Sequence, residues 1–343
     1  MEKLLASLKN PDLPTKEVLL DLARKMDYVL ANEKTPYRPL TDVGTPGCLL
    51  DFTGNKNAGE SRPVMVIPDL HGRCDFLYHI LTWRLPSGDS VLEAMALDKL
   101  HLVFLGDALH TEGTTKQRWL DAEEAFKNGD VINPQMKVEM AWDLTLLAAL
   151  YSLKIAFPKN FFYLKGNHEN IKNKLADGDY PFRKYASEGQ MTRSFMEEVY
   201  GSQVLNAIES VEDKLPLVYC GKRFALSHAE PELAFSRDDM IHGAFIEKVK
   251  RGLTWTDNGE ASDDCIRKCF ENLGISCGEG EELLKNPLWV CGHRAITGEY
   301  RLFEDRRLLQ IHNMRAWRTL YIEENEAPDT EQGFIDMKQN GGE

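Results

Sequence analysis

The 343-residue chain carries 41 basic and 54 acidic side chains, a net charge of −13, with 43% hydrophobic and 28% charged residues. That balance fits one large or two ordinary globular domains with a sizeable core, and it disfavours nucleic-acid backbones and anionic lipid as partners. The most apolar stretch, 144–153, runs ten residues between Asp143 and Lys154, where a membrane span needs about twenty. The first residues (MEKLLASLKNPDL) carry Glu2 and too short an apolar core for a secretion signal, so the chain is expected to be soluble and cytoplasmic. Seven cysteines, an odd number, fit reduced thiols better than a disulfide framework. Cys265, Cys269 and Cys277 cluster without a fourth ligand or paired C-x2-C knuckles, which favours idle thiols over a zinc site.

In chain order, helical patterning covers 4–8 and 16–30, the second behind a Pro14-Thr15 start signal. Turn chemistry fills 36–59. Residues 1–60 are thus expected as a helical extension packing on a catalytic domain at 61–322, with 323–343 a flexible acidic tail. Within 61–322, short β-rich runs each end in residues suited to metal binding: 62–68 before Asp69-Leu70-His71, 101–105 before Gly106-Asp107, and 161–165 before Gly166-Asn167-His168-Glu169. The runs at 223–227, 288–291 and 307–311 end in His228, Gly292-His293 and His312-Asn313. Helical patterns at 73–83, 117–127, 135–157 and 194–210 separate several of them. Strands alternating with helices predict a layered α/β sheet, whose sites gather outside the carboxyl ends of strands.

Asp69 and His71 are two apart on an extended run, so both side chains face one way and can hold one ion. Asp107 adds a carboxylate able to bridge two metals, Asn167 an amide oxygen, and His228 and His293 two imidazoles. This donor mixture suits Mn, Fe or Zn in five- or six-coordinate sites. Taken singly, each element is ordinary: a D-x-H string is usually a surface turn, and a lone buried histidine usually a packed one. Together, in order and each at a strand end, they read as a dimetal centre.

These signatures, Asp69-Leu70-His71-Gly72, Gly106-Asp107, Gly166-Asn167-His168-Glu169, Ser227-His228 and Gly292-His293, resemble those of the calcineurin-like metallophosphoesterases. Within that family the nearest branch is that of serine/threonine phosphoprotein phosphatases and diadenosine tetraphosphatases. The stretches 146–169, 215–232 and 253–257 are similar to that branch as well, and 62–313 is covered. The resemblance implies an α/β sandwich of two mixed sheets flanked by helices with two metal ions at its edge. It implies Asp69, His71 and Asp107 on the first ion and Asp107, Asn167, His228 and His293 on the second, with a hydroxide between the ions attacking phosphorus in line. His168 is then the general acid for the leaving alkoxide. The implied activity is a phosphomonoesterase acting on a phosphoprotein or a small phosphate ester. A dinucleoside polyphosphate pyrophosphohydrolase and a non-catalytic metal scaffold are the rival readings.

The chain departs from the branch where the pattern Gly-Asp-x-x-Asp-Arg-Gly stands as Gly106-Asp107-Ala108-Leu109-His110-Thr111-Glu112-Gly113. The aspartate that steadies the acid is His110 and the phosphate-clamping arginine is Thr111. Gly-Gly after the second-metal histidine is Ala229-Glu230, and Pro68 replaces a glycine. Arg73 and Arg294, each just past a metal-site histidine, are the candidate replacement clamps, with His110 beside them. His312 is a minor candidate.

Overall fold

Alternation within one strand decides the layering: Val64 and Val66 face one core, Met65 and Ile67 another. The computed structural model describes residues 1–54, 59–257, 260–262, 264–277 and 286–338. Helices α1 (Glu2–Lys9) and α2 (Lys16–Ala31) precede strand β1 (Leu49–Asp51). Then come β2 (Val64–Ile67), α3 (Cys74–Thr82), α4 (Val91–Ala96), β3 (His101–Phe104), α5 (Lys116–Lys127), the long α6 (Pro134–Ala156) and β4 (Phe161–Tyr163). Helices α7 (Glu188–Val199) and α8 (Ser202–Glu212) lead into β5 (Val218–Cys220) and β6 (Phe224–Ser227). Helices α9 (Arg237–Ile241), α10 (Glu247–Thr254) and α11 (Cys265–Asn272) come before β7 (Leu288–Cys291), β8 (Arg301–Phe303), β9 (Leu308–Gln310), β10 (Arg318–Ile322) and β11 (Phe334–Asp336).

The strands form two mixed sheets, β1-β5-β6-β7-β9-β8 and β11-β10-β2-β3-β4. Their inner faces share a core that includes Val66, Val103, Phe162, Leu226, Val290 and Leu309. Helices α1 to α8 cover the outer face of the five-stranded sheet, and α9 to α11 that of the six-stranded one. The expected sandwich of two mixed sheets flanked by helices is therefore the fold. Strands β2, β3 and β4 run parallel, as do β6, β7 and β9, so the motif-bearing carboxyl ends within each sheet lie on one side. No helix among the described residues is long and apolar enough to cross a membrane.

Three boundaries differ from the sequence reading. The helix expected over 194–210 is two helices, because Gly201 takes φ 76° and ends one while starting the next. Residues 1–60 are not wholly helical extension: β1 pairs in parallel with β5 as an edge of the larger sheet. The 323–343 tail is docked at 334–337, where β11 pairs with β10 and Met337 is buried, so the chain there has a sheet edge to bond and an apolar anchor. Cys265 and Cys269 pack on the core face of α11, and all seven cysteines are free.

Glu212, buried at the end of α8, accepts the Ile171 N–H at 3.1 and 3.0 Å and so braces the chain just past Asn167-His168. Burial pushes its pKa up to about 8 against the pull of Lys165. The folded state keeps this proton while the unfolded chain releases it near its ordinary value, so stability falls as pH rises between the two. Glu212→Gln is expected to leave stability near pH 5 almost unchanged and to raise it at pH 8 by a few kcal/mol at most, roughly. Urea midpoints at the two pH values check this, and an equal shift at both would contradict it.

Candidate metal centre

The site is assembled from loops that turn sharply just past the strands. His71, Asp107, His110 and His293 sit at φ 45°, 63°, 67° and 60°, a left-handed conformation costly for residues with a Cβ. A Cβ on Gly292 would lie 1.8 Å from Asp69 Oδ1, and one on Gly166 would lie 2.2 Å from Asp107 Oδ1. Only glycine lets these two loops lean on the carboxylates.

Asp107 is the centre of the arrangement. Its Oδ2 lies 3.3 Å from His228 Nε2, 3.6 Å from His168 Nε2 and 3.7 Å from His71 Nε2. On one side, Asp69 Oδ2 is 3.9 Å from His71 Nε2. On the other, Asn167 Oδ1 lies 2.9 Å from both His228 Nε2 and His293 Nδ1. Octahedral ligands held about 2.1 Å from an ion are about 3 Å from one another, so the spacing suits small hard cations.

The ring orientations favour metal binding. His71 Nδ1 faces the Leu109 carbonyl at 3.0 Å and His228 Nδ1 the Leu105 carbonyl at 3.1 Å. An N–H there leaves the lone pair of each Nε2 directed at the carboxylates. Burial opposes charge on Asp107, but His168, His228 and His71 hold its carboxyl well below the usual range. Burial also opposes charge on His228, yet Asp107 outweighs it and lifts the imidazole to about 9. Burial pushes His168 and His293 well below the ordinary histidine value.

Asp69 Oδ1, His293 Nε2, Glu112 Oε2 and His312 Nδ1 are buried here without a hydrogen-bond partner. Buried polar atoms are rarely left unpaired, and four around one centre fit residues arranged for cations. The groups Asp69/His71/His312, His71/Asp107/His168 and Asp69/Asp107/His228 each bring their ligand atoms within 4.8 Å of one another.

The model of the calcineurin-like phosphoesterase family matches residues 62–317, most of the chain. The chain belongs to this family. Its members hydrolyse phosphoric esters with the help of metal ions, and this phosphoesterase has the donor set for them. A protein serine/threonine phosphatase from Saccharomyces cerevisiae with similarity to human phosphatase PP5 shares its fold: TM-score 0.56, 15% identity, 98% of this chain and 94% of that one covered. A Caenorhabditis elegans protein without a described function is 24% identical over 271 residues, covering 77% of this chain and 70% of its own. The cold-active protein-tyrosine phosphatase of a psychrophilic Shewanella species is a looser likeness, with TM-score 0.44, 13% identity, and 77% and 76% of the two chains covered.

Around His168 the phosphoesterase is built differently from the phosphoprotein phosphatase pattern. His110 Nδ1 is 2.9 Å from His168 Nδ1, and the half-buried Phe182 ring lies over both imidazoles, 3.5 Å from His168 and 5.1 Å from His110 between centroids. His110 is buried and pushed down to about 3 by that burial and by His71, so its ring is neutral. Thr111 is turned away from the centre, its hydroxyl on Glu139, which also receives Arg118.

The two candidate clamps fare differently. Arg73 is spent on structure, a correction to the phosphate-binding expectation. Its guanidinium donates to the carbonyls of Leu70, Asn313, Ala316 and Asp69, stitching the loop after β2 to the loop after β9. Arg73→Ala orphans these carbonyls and is expected to cost about 3–5 kcal/mol of stability in a urea melt; a loss under 1 kcal/mol would contradict the stitching role. Arg294 stays half-exposed beside the centre and pairs with Asp257, whose Oδ1 is also 3.7 Å from His293 Nε2.

Two participants carried little signal in the sequence. Glu169 binds the Asp107 N–H at 2.9 Å, the Gly166 N–H at 2.6 Å, the Ala108 N–H at 3.0 Å and the Tyr163 hydroxyl at 2.7 Å, locking two ligand loops together. It was legible as a motif letter but not as a brace. Glu112 stands in a stretch that departs from the family pattern, and it comes within 3.7 Å of His71 Nε2.

Proposed function

We propose that this phosphoesterase is a metal-dependent phosphomonoesterase of the phosphoprotein phosphatase type, acting on a phosphorylated protein or a small phosphate ester. The carrying observation is the convergence of His71, His168 and His228 on Asp107 Oδ2 at 3.3–3.7 Å, with Asp69 and Asn167 on opposite sides. Asp69, His71 and Asp107 would hold one ion, and Asp107, Asn167, His228 and His293 the other. When bound, such ions supply Lewis-acid charge to phosphate oxygens and bring the pKa of water towards neutrality. Mn²⁺ is the ion we expect to support turnover in vitro, and Fe and Zn suit the same donors. Seven free thiols suit the reducing cytoplasm, where we place the enzyme.

His168 carries the proton step. Its backbone N–H donates to Asp107 Oδ1 at 2.9 Å, which fixes the loop against the bridging carboxylate. As the acid, His168 is the imidazolium: its Nδ1–H is donated to the neutral His110 Nδ1 at 2.9 Å, and its second proton is on Nε2, the nitrogen that faces the centre. From there it passes to the leaving oxygen, while Phe182 keeps water off the ring. Arg294, beside His293 and half-exposed, is our candidate cation for the phosphate. Dinucleoside polyphosphates stand second, because Arg73, one of the two candidate phosphate clamps, is committed to carbonyls.

The test is product release from an aryl phosphate, a phosphoserine peptide and diadenosine tetraphosphate in the presence of Mn²⁺. Phosphate from the peptide or the aryl ester at the higher kcat/KM supports this reading. Mononucleotides from the dinucleotide as the faster reaction would replace it with the pyrophosphohydrolase, and inertness towards all three with ions bound would leave the scaffold.

A further inference from the structure

Beside the first ion's three ligands stand a carboxylate and an imidazole that no step above uses. Glu112 follows Thr111 in the segment that departs from the phosphatase pattern, and His312 lies just past β9. Both side chains are nine-tenths or more buried, at 6% and 1% exposure. Glu112 Oε1 is 3.7 Å from His71 Nε2, and Glu112 Oε2 is 3.7 Å from His312 Nε2. His312 Nδ1 is 3.8 Å from Asp69 Oδ2. These separations are too long for hydrogen bonds, and Glu112 Oε2 and His312 Nδ1 are both left without a partner. His312 gathers with Asp69 and His71, their ligand atoms within 4.8 Å of one another, and Glu112 stands beside both histidines with one oxygen towards each, a spacing that suits ligands around an ion.

We propose that Glu112 and His312 are further protein ligands of the first metal ion, an inference that rests on the dimetal reading. The first site then has five protein donors, Asp69, His71, Asp107, Glu112 and His312, against four at the second. Three of the five are carboxylates, so the first site binds its cation more tightly and has fewer positions open to water or substrate. Lys184, paired with Glu112 from outside the cluster, holds that carboxylate in place. Where the phosphatase pattern spends this segment on a cation for the substrate, this chain spends it on an anion for the metal. Substrate contact falls instead to the second ion and to Arg294.

The experiment measures Mn²⁺ binding to the full-length protein by elemental analysis and by competition with a chelator, in wild type, Glu112→Gln and His312→Asn. The expected result is two ions in wild type. In each variant one ion should bind more than about 100-fold more weakly while the other keeps its wild-type affinity, beyond the roughly 10–100-fold that losing a partner behind a ligand costs. Two ions at wild-type affinity in both variants would overturn the assignment. If His312→Asn does not fold, Glu112→Gln, close in shape and exposing no new apolar surface, decides alone. A wild-type protein that binds no ion would overturn the dimetal reading itself, a result distinct from two tightly held ions in the variants.

Discussion

Asp107→Asn is expected to release both metal ions together and to lower turnover by about 10³-fold or more. The reason lies in which oxygen does what. Oδ1 accepts the His168 N–H, a bond that an amide oxygen keeps, so the loop retains its place. Oδ2 faces His71, His168 and His228, the place where two ions would share a ligand. An amide there offers a weaker, uncharged ligand, or turns an N–H towards the cations. Elemental analysis after gel filtration reads the result. Retention of two ions per chain would show that Asp107 does not bridge, and retention of one would show that it serves a single site.

His168→Ala is expected to keep both ions and to slow alkyl phosphates by about 10²–10⁴-fold while slowing aryl phosphates much less. A phenolate leaves without a proton, whereas a seryl alkoxide needs one. The ratio of the two losses therefore isolates proton delivery from binding and from metal chemistry. Phe182 and His110 confine the His168 ring, so the variant leaves a small gap and no freed charge. Equal losses on both classes would assign His168 a structural role or place it among the metal ligands.

The parts of the site legible in sequence were those in which one strand end carries one donor. Short apolar runs marked the strands, and the residue after each run marked the candidate ligand, because parallel strands place their carboxyl ends together. The helix at 194–210 misled because both halves share an apolar face, and only the positive φ of Gly201 breaks them. Strands β1, β8 and β11 span three residues each and lie at or near sheet edges, too short for alternation to show. Arg73 looked available because sequence cannot show that four carbonyls from two loops converge on its guanidinium. Glu112 and His312 are far apart in the chain and meet only because the loops after β3 and β9 fold together. His312 was visible at its strand end, but Glu112 was hidden inside a departure from the family pattern.

Hydrolysis is expected to depend on a pair of ions and the ligands around Asp107. Metal-stripped protein titrated with Mn²⁺, with phosphate release from an aryl phosphate followed at each addition, tests it most directly. The expected result is no turnover without metal and a rise that reaches its plateau at two ions per chain. Full turnover in the stripped protein, or a plateau at one ion, would contradict it.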